Sequence, residues 1–537
     1  MFGAGGGTSS YEELRECADL IVLWGSNARE AHPIFFHHVL KAVHRGAKLV
    51  VVDPRRTPSA QWGDLWLGLD IGTDIALANA VGREIIAAGL VDEEFVARAT
   101  SGFDAYRESV ERWTLAEAER VTGVPAAAIK ELAHLWGNAK HAQMCWTLGI
   151  TEHHNGVDNV FALINLSLLT GQVGKYGSGL QPLRGQNNVQ GGGDMGALPN
   201  KLPGFQDVEN DALRMRFEQA WGAPIPDKDG LHLSGMFDAI EHGDLRALYV
   251  IGENPAQSEA DRTRAVGLLE KLDHLVVQDI FRTKTAEYAD VVLPASASWA
   301  EAEGTVTSSE RRVQRVRKAL DPPGEARDDI EIVHALAKRL GVDLGSAKAE
   351  DVWNELRFLS PMHAGMSYAR LEELGGIPWP CWDSQHEGEQ FLHARLWDDV
   401  VEVRAPFTPV LDDPPVDLLS DEFPVRLTTG RRLESFNTGV QTGGFSSPLH
   451  RGGEALRVSP EDGARYGLVD GGRARVVSRR GAVEAPVAFD TTLRPGLAFM
   501  NLHFPDVVET NMLTIDATDP KSGTAEFKAT AIRVEAI

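Results

Sequence analysis

The chain has 537 residues, of which 43% are hydrophobic and 24% charged, and its formal net charge is −24. These values are typical of a folded globular protein, and a length of roughly 150 residues per domain predicts three or four domains. The acidic excess argues against a surface that binds nucleic acid or an anionic membrane, although it does not exclude a local basic pocket.

The cysteines and the apolar runs indicate the compartment. Cys17, Cys145 and Cys381 lie far apart and form no CxxC pair, which favours a reducing compartment. No apolar run approaches the ~20 residues that a membrane span requires. The start MFGAGGGTSSYEEL has neither the basic nor the apolar region of a signal peptide. We therefore expect a cytoplasmic protein without a membrane span.

The first elements form a strand, a helix and a second strand. The apolar run LIVLW (20–24) stops at Gly25, a helix follows as far as Gly46, and the run KLVVVD ends at Asp53. A short connection with one helix between two strands makes those strands parallel. This segment therefore predicts the beginning of a parallel α/β sheet.

Similar apolar strands recur along the first 300 residues. They are MCWTLGITEHHNG (144–156), ALYVIGENPAQS (247–258), HLVVQDIF (274–281) and ADVVLPA (289–295). Ligands of open parallel sheets bind beyond the carboxyl ends of the strands, where glycine and small polar residues gather here. The pattern predicts one large ligand, or two related halves that each bind one. Any single loop could equally be an ordinary strand-to-helix turn.

Residues 183–196, LRGQNNVQGGGDMG, have no apolar periodicity and combine Arg184 with four side-chain amides and five glycines. A guanidinium binds a carboxylate or a phosphate through paired N–H donors. Glycines let the backbone approach a ligand closely. The segment favours a site for a polar, heteroatom-rich cofactor with a small anion beside it. A solvated loop with a surface arginine is the alternative.

The sequence pattern changes near residue 411. Residues 346–410 have weak periodicity and are interpreted as a connecting region, whereas short β-rich runs separated by glycine turns follow from 411. Such runs predict a closed or nearly closed β-barrel. The predicted domains are 1–182 (α/β), 183–345 (second α/β, with the active-site loop), 346–410 (connection) and 411–537 (barrel).

Several common site motifs are missing from the sequence. No GxGxxG follows the first strand, and neither GxxxxGK[ST] nor GxSxG occurs. A nicotinamide fingerprint, a P-loop and a serine hydrolase are therefore not supported. The pairs His37-His38 and His153-His154 have no matching second cluster, and adjacent residues on a helix point apart. We predict no metal ligands among the residues of this chain.

The motifs together resemble one family. PLRGQNNVQGGGDMGALPN, GENPAQSEAD, VVQDIFRTKTAEYADVVLPA, EGTVTSSERRVQ, PPGEARDD, LTTGRRLESFNTGVQTG and TNMLTIDATDPKSGTAEFKATAIRVE are similar, in the same order, to segments of molybdopterin-dependent formate dehydrogenase alpha subunits. The resemblance covers nearly the whole chain. It implies two doubly wound parallel-sheet domains and a double-psi-like C-terminal barrel. Two molybdopterin guanine dinucleotides, with molybdenum or tungsten, would lie between the two halves.

The resemblance also assigns site residues. On the first half the cofactor contacts would be Gly25, Ser26, Asn27, Asp53, Arg55, Gly72, Thr73, Asp74, Gly149 and Thr151. On the second half they would be Gly252, Glu253, Asn254, Gln278 and Asp279. In the barrel they would be Thr429, Gly430, Arg431, Asn437, Thr438, His503, Asn511, Phe527 and Lys528. For any one of them a purely structural role is the alternative.

The implied reaction is the oxidation of formate to CO2, or its reverse. Arg184 would hold the carboxylate, and Gln186 would be a neighbouring amide at the metal. Positioning and charge stabilisation in a dry pocket are what such a guanidinium contributes. Electrons would pass to partner subunits that carry iron–sulfur clusters or flavin and are possibly NAD-linked.

The sequence departs from the family at its beginning. Neither the cysteine-rich domain that binds a 4Fe-4S cluster nor the metal-ligating cysteine or selenocysteine with its adjacent histidine is found. One hypothesis is a UGA selenocysteine codon read as a stop, with a start at the next methionine; a fragment or a misplaced start explains the same fact. The isolated chain is expected to oxidise formate weakly or not at all.

Two other functions are compatible with these motifs. Another molybdopterin oxidoreductase, such as one acting on nitrate, could use the same arginine. A non-catalytic scaffold or electron-transfer subunit could share the fold without holding molybdenum, but in such a protein the intact RGQNN and TTGR motifs would not be expected.

Overall fold

The computed structural model describes residues 5–398, 404–433, 436–442, 454–503 and 506–537. The first 182 residues form a sheet with the strand order β3-β2-β1-β5-β6, in which all pairs are parallel. The strands of this part are β1 (Leu20–Trp24), β2 (Lys48–Val52), β3 (Leu65–Leu67), β4 (Thr100–Ser101), β5 (Ala142–Trp146) and β6 (Gly179–Pro182).

Helices cover both faces of this first sheet. They are α1 (Tyr11–Glu16), α2 (Ala28–Ala31), α3 (Pro33–Arg45), α4 (Asp74–Ala87), α5 (Glu93–Ala99), α6 (Phe103–Val110), α7 (Leu115–Thr122), α8 (Ala126–Asn138), α9 (Leu148–Thr151) and α10 (Gly156–Leu169). Alternate residues of β1 point to opposite faces, so Val22 joins the core with α4, α8 and α10 while Ile21 joins the core with α1 and α3. A sheet buried on both faces explains the continuous apolar runs of the sequence.

A second, smaller parallel sheet lies between residues 183 and 295. Its strand order is β11-β10-β9, and α13 and α15 pack on one of its faces. The elements are α11 (Val189–Asp194), β7 (Lys201–Leu202), β8 (Gln206–Asp207), α12 (Asp211–Trp221), α13 (Leu233–His242), β9 (Ala247–Ile251), α14 (Pro255–Ser258), α15 (Arg262–Leu269), β10 (His274–Asp279) and β11 (Val291–Pro294).

A three-stranded antiparallel sheet with its own apolar core follows. Trp353, Tyr368 and Ile377 pack together with Val313 in this core, so the segment expected to be a connection carries helices and two short strands. The elements are β12 (Gly304–Thr307), β13 (Arg312–Val316), α16 (Asp329–Arg339), α17 (Ala349–Leu359), α18 (Tyr368–Glu373), β14 (Ile377–Pro378) and β15 (Ala405–Pro406).

The C-terminal region is a closed six-stranded barrel with the strand order β16-β20-β17-β19-β18-β21. Its interior is filled by aliphatic side chains such as Leu427, Leu456 and Val476. The elements are β16 (Val425–Thr429), β17 (Leu456–Val458), α19 (Pro460–Arg465), β18 (Arg473–Val477), β19 (Ala482–Phe489), β20 (Leu497–Met500) and β21 (Thr530–Ala536).

The fold class expected from the sequence is confirmed, since the parallel α/β sheets and the C-terminal barrel are both present. Among the described residues, no helix has the length and apolar character needed to cross a bilayer. The three cysteines are free thiols, and Cys145 and Cys381 are buried.

Candidate functional site

The first sheet has its topological switch point between β1 and β5. The chain leaves β1 toward β2 on one side, and β5 and β6 lie on the other, so a crevice opens beyond the ends of β1 and β5. The two strand-end loops touch there, because Gly149 N–H (3.2 Å) and Thr147 Oγ1–H (2.7 Å) both donate to Gly25 O. A Cβ on Gly149 would lie 2.3 Å from that carbonyl oxygen, which requires glycine. The fold therefore places two of the predicted loops at one point.

A cavity of about 290 Å³ extends from this switch point to the barrel. Its wall is built from strand ends of the first sheet, the loop after β6 and the barrel residues near Thr429. The predicted site residues that line it are Gly25, Asn27, Asp53, Arg55, Asp74, Gly149, Thr151, Arg184, Gln186, Thr429, Gly430, Arg431, Asn437 and Lys528.

The charges on this wall are mainly positive. Arg55, Arg184, Arg431 and Lys528 face two carboxyl groups, those of Asp53 and Asp74. Burial raises the pKa of Asp53 to about 6, against the opposing charge of Arg55, and burial also raises the pKa of Asp74. Both carboxyl groups therefore carry their charge less readily than usual, which leaves a cationic cavity in an acidic protein. Such a cavity suits an anionic ligand.

Arg55 is held by stacking. Its guanidinium carbon lies 3.7 Å from the centre of the Phe499 ring, and burial lowers its pKa. Within the described ranges its side chain donates no hydrogen bond, whereas its backbone N–H donates to Asp53 Oδ1 at 2.9 Å. A cation–π contact fixes the plane of the group and leaves its N–H donors available for a planar or tetrahedral oxyanion.

The barrel side of the cavity is fixed by Lys528 and Thr429. Lys528 Nζ donates to Thr429 O at 3.0 Å and forms an ion pair of 2.7 Å with Glu152 of the first half. Thr429 Oγ1 donates to Phe527 O at 3.0 Å. The predicted residue Phe527 therefore holds Thr429 in place through its backbone carbonyl. Arg431 Nη1 donates to Ala31 O at 3.3 Å, which joins the barrel to α2.

Arg184 is a largely enclosed residue of the cavity wall. Its Nη2 donates to Gly5 O at 2.7 Å, and its Nε donates to Gln190 Oε1 at 3.0 Å. The backbone around it is also fixed, because His32 Nε2 donates to Arg184 O at 2.9 Å and Arg184 N–H donates to Ser309 Oγ at 2.9 Å. Burial lowers the pKa of Arg184, but an arginine remains charged.

The amides near Arg184 divide into two groups. Gln186 and Asn187 are exposed, and Gln186 lines the cavity. Asn188 and Gln190 instead have protein partners: Asn188 Oδ1 accepts from Thr307 N–H at 2.9 Å, and Gln190 is buried beside Arg184. The expectation that the row of amides serves ring heteroatoms is therefore limited to the exposed pair.

Other predicted residues lie away from the cavity wall. Ser26 is fully buried between Gly25 and Asn27, and Gly72 packs against Pro415, where a Cβ would lie 2.5 Å from Pro415 Cγ. Thr73 Oγ1 donates to Asp70 O. His503 Nδ1 contacts Phe436 O at 3.1 Å, next to the wall.

The predicted residues of the second half gather at the ends of β9 and β10. Asn254 Oδ1 accepts from Thr285 Oγ1 at 2.8 Å, Gln278 donates to Asp329, and Asp279 Oδ1 accepts from the N–H of Ile280. Gly252 has a positive φ of 63°, and burial raises the pKa of Glu253. These residues do not line the cavity of the first half.

Gln257 joins that second group to the barrel. Its Nε2 donates to Thr438 O at 3.1 Å, and its Oε1 accepts from Asn254 Nδ2 at 2.8 Å. Asn511 Nδ2 donates to Gln257 O at 3.1 Å. Three predicted residues thus meet around a glutamine that the sequence analysis did not single out.

Two histidines of the wall were also missed. His32 lies before Pro33 at the start of α3, and His153 lines the cavity with its Nδ1 3.5 Å from Glu526 Oε1. In the sequence, His153 was considered only with His154, as a pair of possible metal ligands. In the part of the chain that the structure describes, no cluster of three or more histidine, cysteine, aspartate or glutamate side chains could hold a metal ion.

The cavity fits the anionic parts of the implied cofactor. Within the described residues, Arg431 Nε is buried without a hydrogen-bond partner, and the guanidinium of Arg55 donates no hydrogen bond; both residues line the cavity. Buried donors without partners cost free energy unless a ligand satisfies them. The set of donors, together with the cationic wall and the close glycine loops, suits a phosphate-containing nucleotide.

Comparisons with known proteins identify the family. Residues 7–339 match the family model "Molybdopterin oxidoreductase", and residues 425–531 match "Molydopterin dinucleotide binding domain". The F420-dependent formate dehydrogenase subunit alpha of Methanocaldococcus jannaschii is 40% identical over 100% of this chain and 79% of its own. Formate dehydrogenase H of Escherichia coli is 36% identical over 100% of this chain and 75% of its own.

A solved structure shares the fold. Acetylene hydratase from Pelobacter acetylenicus superposes with a TM-score of 0.75 at 20% sequence identity, over 99% of this chain and 79% of that one. At that identity the likeness concerns the architecture alone.

Proposed function

The chain belongs to the molybdopterin oxidoreductase family, and on that premise we propose that it is the catalytic region of a formate dehydrogenase that interconverts formate and CO2. The observation that carries the proposal is Arg184, a largely enclosed guanidinium on the wall of a cationic cavity. The relatives named as formate dehydrogenases align over the whole chain. The protein is proposed to act in the cytoplasm.

The cofactor of the proposal is a pair of molybdopterin guanine dinucleotides with molybdenum or tungsten. When bound, this group supplies the acceptor for the two electrons of formate oxidation. Arg55, Arg431 and Lys528 would hold anionic parts of one dinucleotide, since they line the cavity and are rigidly supported. Asn254, Gln278 and Asp279 would serve the other.

Arg184 would bind and orient the substrate. Two of its donors are engaged by Gly5 O and Gln190 Oε1, which fix the guanidinium plane. Within the described part of the chain Nη1 has no hydrogen-bond partner, so it is available to a carboxylate oxygen. Held in this way, formate is presented with its C–H bond directed away from the guanidinium. The electrons are proposed to leave through partner subunits that carry iron–sulfur clusters or flavin.

The test is performed on the protein purified anaerobically from its own cells with its partners. We expect molybdenum or tungsten in stoichiometric amount, two pterins per metal, and formate-dependent reduction of a viologen dye. Arg184→Lys should lower kcat/KM for formate by about 100-fold, because a point charge replaces an oriented pair of donors, while the metal content stays unchanged.

Three results would contradict the proposal. Absence of both metals from the purified protein would favour a scaffold. Oxidation of the reduced dye by nitrate, without any activity on formate, would favour a molybdopterin oxidoreductase that acts on nitrate. An Arg184→Lys variant with unchanged kcat/KM would remove the proposed role of this residue.

A further inference from the structure

We propose that Asp194 is a positioning residue for Arg184: its carboxylate fixes the amide of Gln190, and that amide fixes the guanidinium. Asp194 is the last residue of α11 and lies ten residues after Arg184. It is not among the site residues predicted from the sequence. The inference rests on the proposed function only in naming formate as the anion that Arg184 binds.

A continuous chain of hydrogen bonds carries the inference. Arg184 Nε donates to Gln190 Oε1 at 3.0 Å, Gln190 Nε2 donates to Asp194 Oδ1 at 2.9 Å, and Trp379 Nε1 donates to Asp194 Oδ2 at 2.7 Å. Gln190 Nε2 also donates to Gly5 O, the carbonyl that accepts from Arg184 Nη2. The side chains of Gln190 and Asp194 are buried, so water does not compete for these bonds.

The direction of these bonds requires a carboxylate at position 194. Both oxygens of Asp194 accept from N–H donors, those of Gln190 and Trp379. An asparagine offers one acceptor and one NH₂ group, so it would leave one of the two donors facing another donor. Where the NH₂ group faces Gln190, the amide of Gln190 turns and its oxygen no longer faces Arg184 Nε; where it faces Trp379, the indole loses its acceptor and the side chain at position 194 is held less firmly against Gln190.

An amide between the two charges has a chemical advantage over a direct ion pair. No salt bridge joins Arg184 to Asp194 within the described ranges, although their charges interact. A carboxylate bound directly to the guanidinium would neutralise the positive charge that attracts an oxyanion substrate. The glutamine transmits orientation and leaves the remaining donors to the substrate.

The charge of Asp194 is balanced by its surroundings. Burial raises the pKa of Asp194 to about 6, while its hydrogen bonds and the charges of Arg184 and Arg311 oppose that rise. Arg311 is fully buried and donates to Gly7 O (2.6 Å), Glu389 O (3.0 Å), Gln390 O (2.7 Å) and Trp379 O, so the tryptophan that binds Asp194 is itself fixed.

The test measures the Arg184 side chain directly in the full chain, without the cofactor. Protein labelled with ¹⁵N-arginine reports the solvent exchange rate of each guanidinium Nε–H, and the signal lost in Arg184→Lys identifies this residue. At pH 7 we expect Asp194→Asn and Gln190→Leu each to raise the exchange rate of Arg184 Nε–H about tenfold. A charge-assisted hydrogen bond of about 1.5 kcal/mol corresponds to that factor.

The double variant distinguishes positioning of Arg184 through Gln190 from a general destabilisation of the site. If Asp194 acts through Gln190, Asp194→Asn combined with Gln190→Leu exchanges no faster than Gln190→Leu alone, whereas independent destabilisation would multiply the two effects. Asp417→Asn is the matched control, because Asp417 is a buried carboxylate of the barrel that pairs with Arg479 and Arg480. It should leave the Arg184 rate unchanged.

The inference is overturned if Gln190→Leu leaves the exchange rate of Arg184 within twofold of the wild type, or if the double variant is multiplicative. In the cofactor-loaded protein, Asp194→Asn should raise the KM for formate about tenfold while kcat falls less. The two failures are distinguishable: a wild-type protein that does not oxidise formate contradicts the proposed function, and the exchange measurement still decides the role of Asp194.

Discussion

At the scale of single residues, the cavity has one cation, Arg55, whose side chain forms no hydrogen bond or ion pair with the described part of the chain. Arg55 stacks on Phe499, and the nearby Asp53 has its pKa raised to about 6 by burial. A partly buried guanidinium whose side chain donates no hydrogen bond destabilises the empty protein, because the charge is desolvated without full compensation. The same charge becomes favourable when an anionic ligand arrives. The arrangement exchanges stability for affinity.

This exchange predicts the outcome of Arg55→Met, which keeps the apolar stem and removes the charge. We expect the empty protein to be as stable as the wild type within about 1 kcal/mol, or more stable, while its pterin content falls at least tenfold. Thermal unfolding of the empty protein and pterin analysis after purification check both parts. Arg56→Met is the control, since Arg56 is exposed and its N–H donates to Thr492 O. A destabilised Arg55→Met with normal pterin content would contradict the argument.

At the scale of elements, α11 shows how neighbouring glycines can have different roles. Gly191 is buried, and a Cβ there would lie 2.0 Å from Asn188 Oδ1, the atom that accepts from Thr307 N–H. A Cβ on Gly192 would meet no atom within 4 Å. Gly191 therefore allows the helix to approach β12, whereas Gly192 has no packing requirement.

The two glycines give a matched pair of substitutions. Gly192→Ala should stabilise the protein by up to about 1 kcal/mol through helix propensity. Gly191→Ala should be about 2 kcal/mol less stable than Gly192→Ala, because the displaced Asn188 loses its bond to Thr307. Denaturant unfolding of both variants measures the difference. Equal stabilities would show that Asn188 moves without cost.

A second element-scale contact joins the loop before α10 to the end of the barrel region. His154 Nδ1 contacts Glu526 Oε1 at 2.8 Å, and its Nε2 contacts Asp413 Oδ2 at 3.0 Å. Burial opposes the charge of His154, yet the bonds to Glu526 and Asp413 raise its pKa above 6.5. Burial would raise the pKa of Glu526, but the bonds from His153 and His154 lower it below 4.5.

The signs of these shifts predict a window of pH. The raised pKa of His154 adds stability that is fully present below pH 6.5 and is lost as the pH rises through its folded pKa. The lowered pKa of Glu526 adds stability that is present above pH 4.5 and is lost as the pH falls through its folded pKa. His154→Asn should therefore cost most, roughly 2–4 kcal/mol, between pH 4.5 and 6.5.

Unfolding measured from pH 4 to pH 9 tests this window. His134→Asn is the control, because the side chain of His134 is 42% exposed with its Nε2 3.4 Å from Glu84 Oε1, and a pair so open to solvent contributes at most about 1 kcal/mol. A cost of His154→Asn that does not change with pH would show that the contact is steric and not ionic.

At the scale of the whole molecule, some of the architecture was predictable and some was not. LIVLW and KLVVVD are buried on both faces, and such strands are recognisable as continuous apolar runs. The antiparallel sheet of β12, β13 and β14 was not predicted, because β14 has two residues and pairs with β13 across about 65 positions of the chain. Likewise Arg311, in a charged run of sequence, is fully buried only because four distant carbonyl groups receive its donors.

The candidate site shows the same division. Arg184 and the glycine loops were identifiable from residue types, since their chemistry is local to each motif. The partners of Gln190 and Asn188 were not, because a side-chain amide has the same appearance in sequence whether it faces a ligand, Asp194 or Thr307. Roles that depend on long-range contacts need the fold.

The overall charge predicts how substrate association responds to salt. Formate is an anion, and the chain carries a net charge of −24, so the approach is repulsive at long range even though the cavity wall is cationic. The Debye length is about 30 Å at 0.01 M ionic strength, comparable with the molecule, and about 8 Å at 0.15 M, where distant charges no longer act while Arg184 does. Raising the ionic strength between these values should therefore increase kcat/KM for formate, by roughly two- to threefold.

Sodium chloride, sulfate and acetate at equal ionic strength must give the same increase, because screening depends on ionic strength whereas competition at Arg184 depends on the identity of the anion. A decrease that is equal for all three salts would mean that the cavity cations, and not the acidic surface, govern the approach of the substrate.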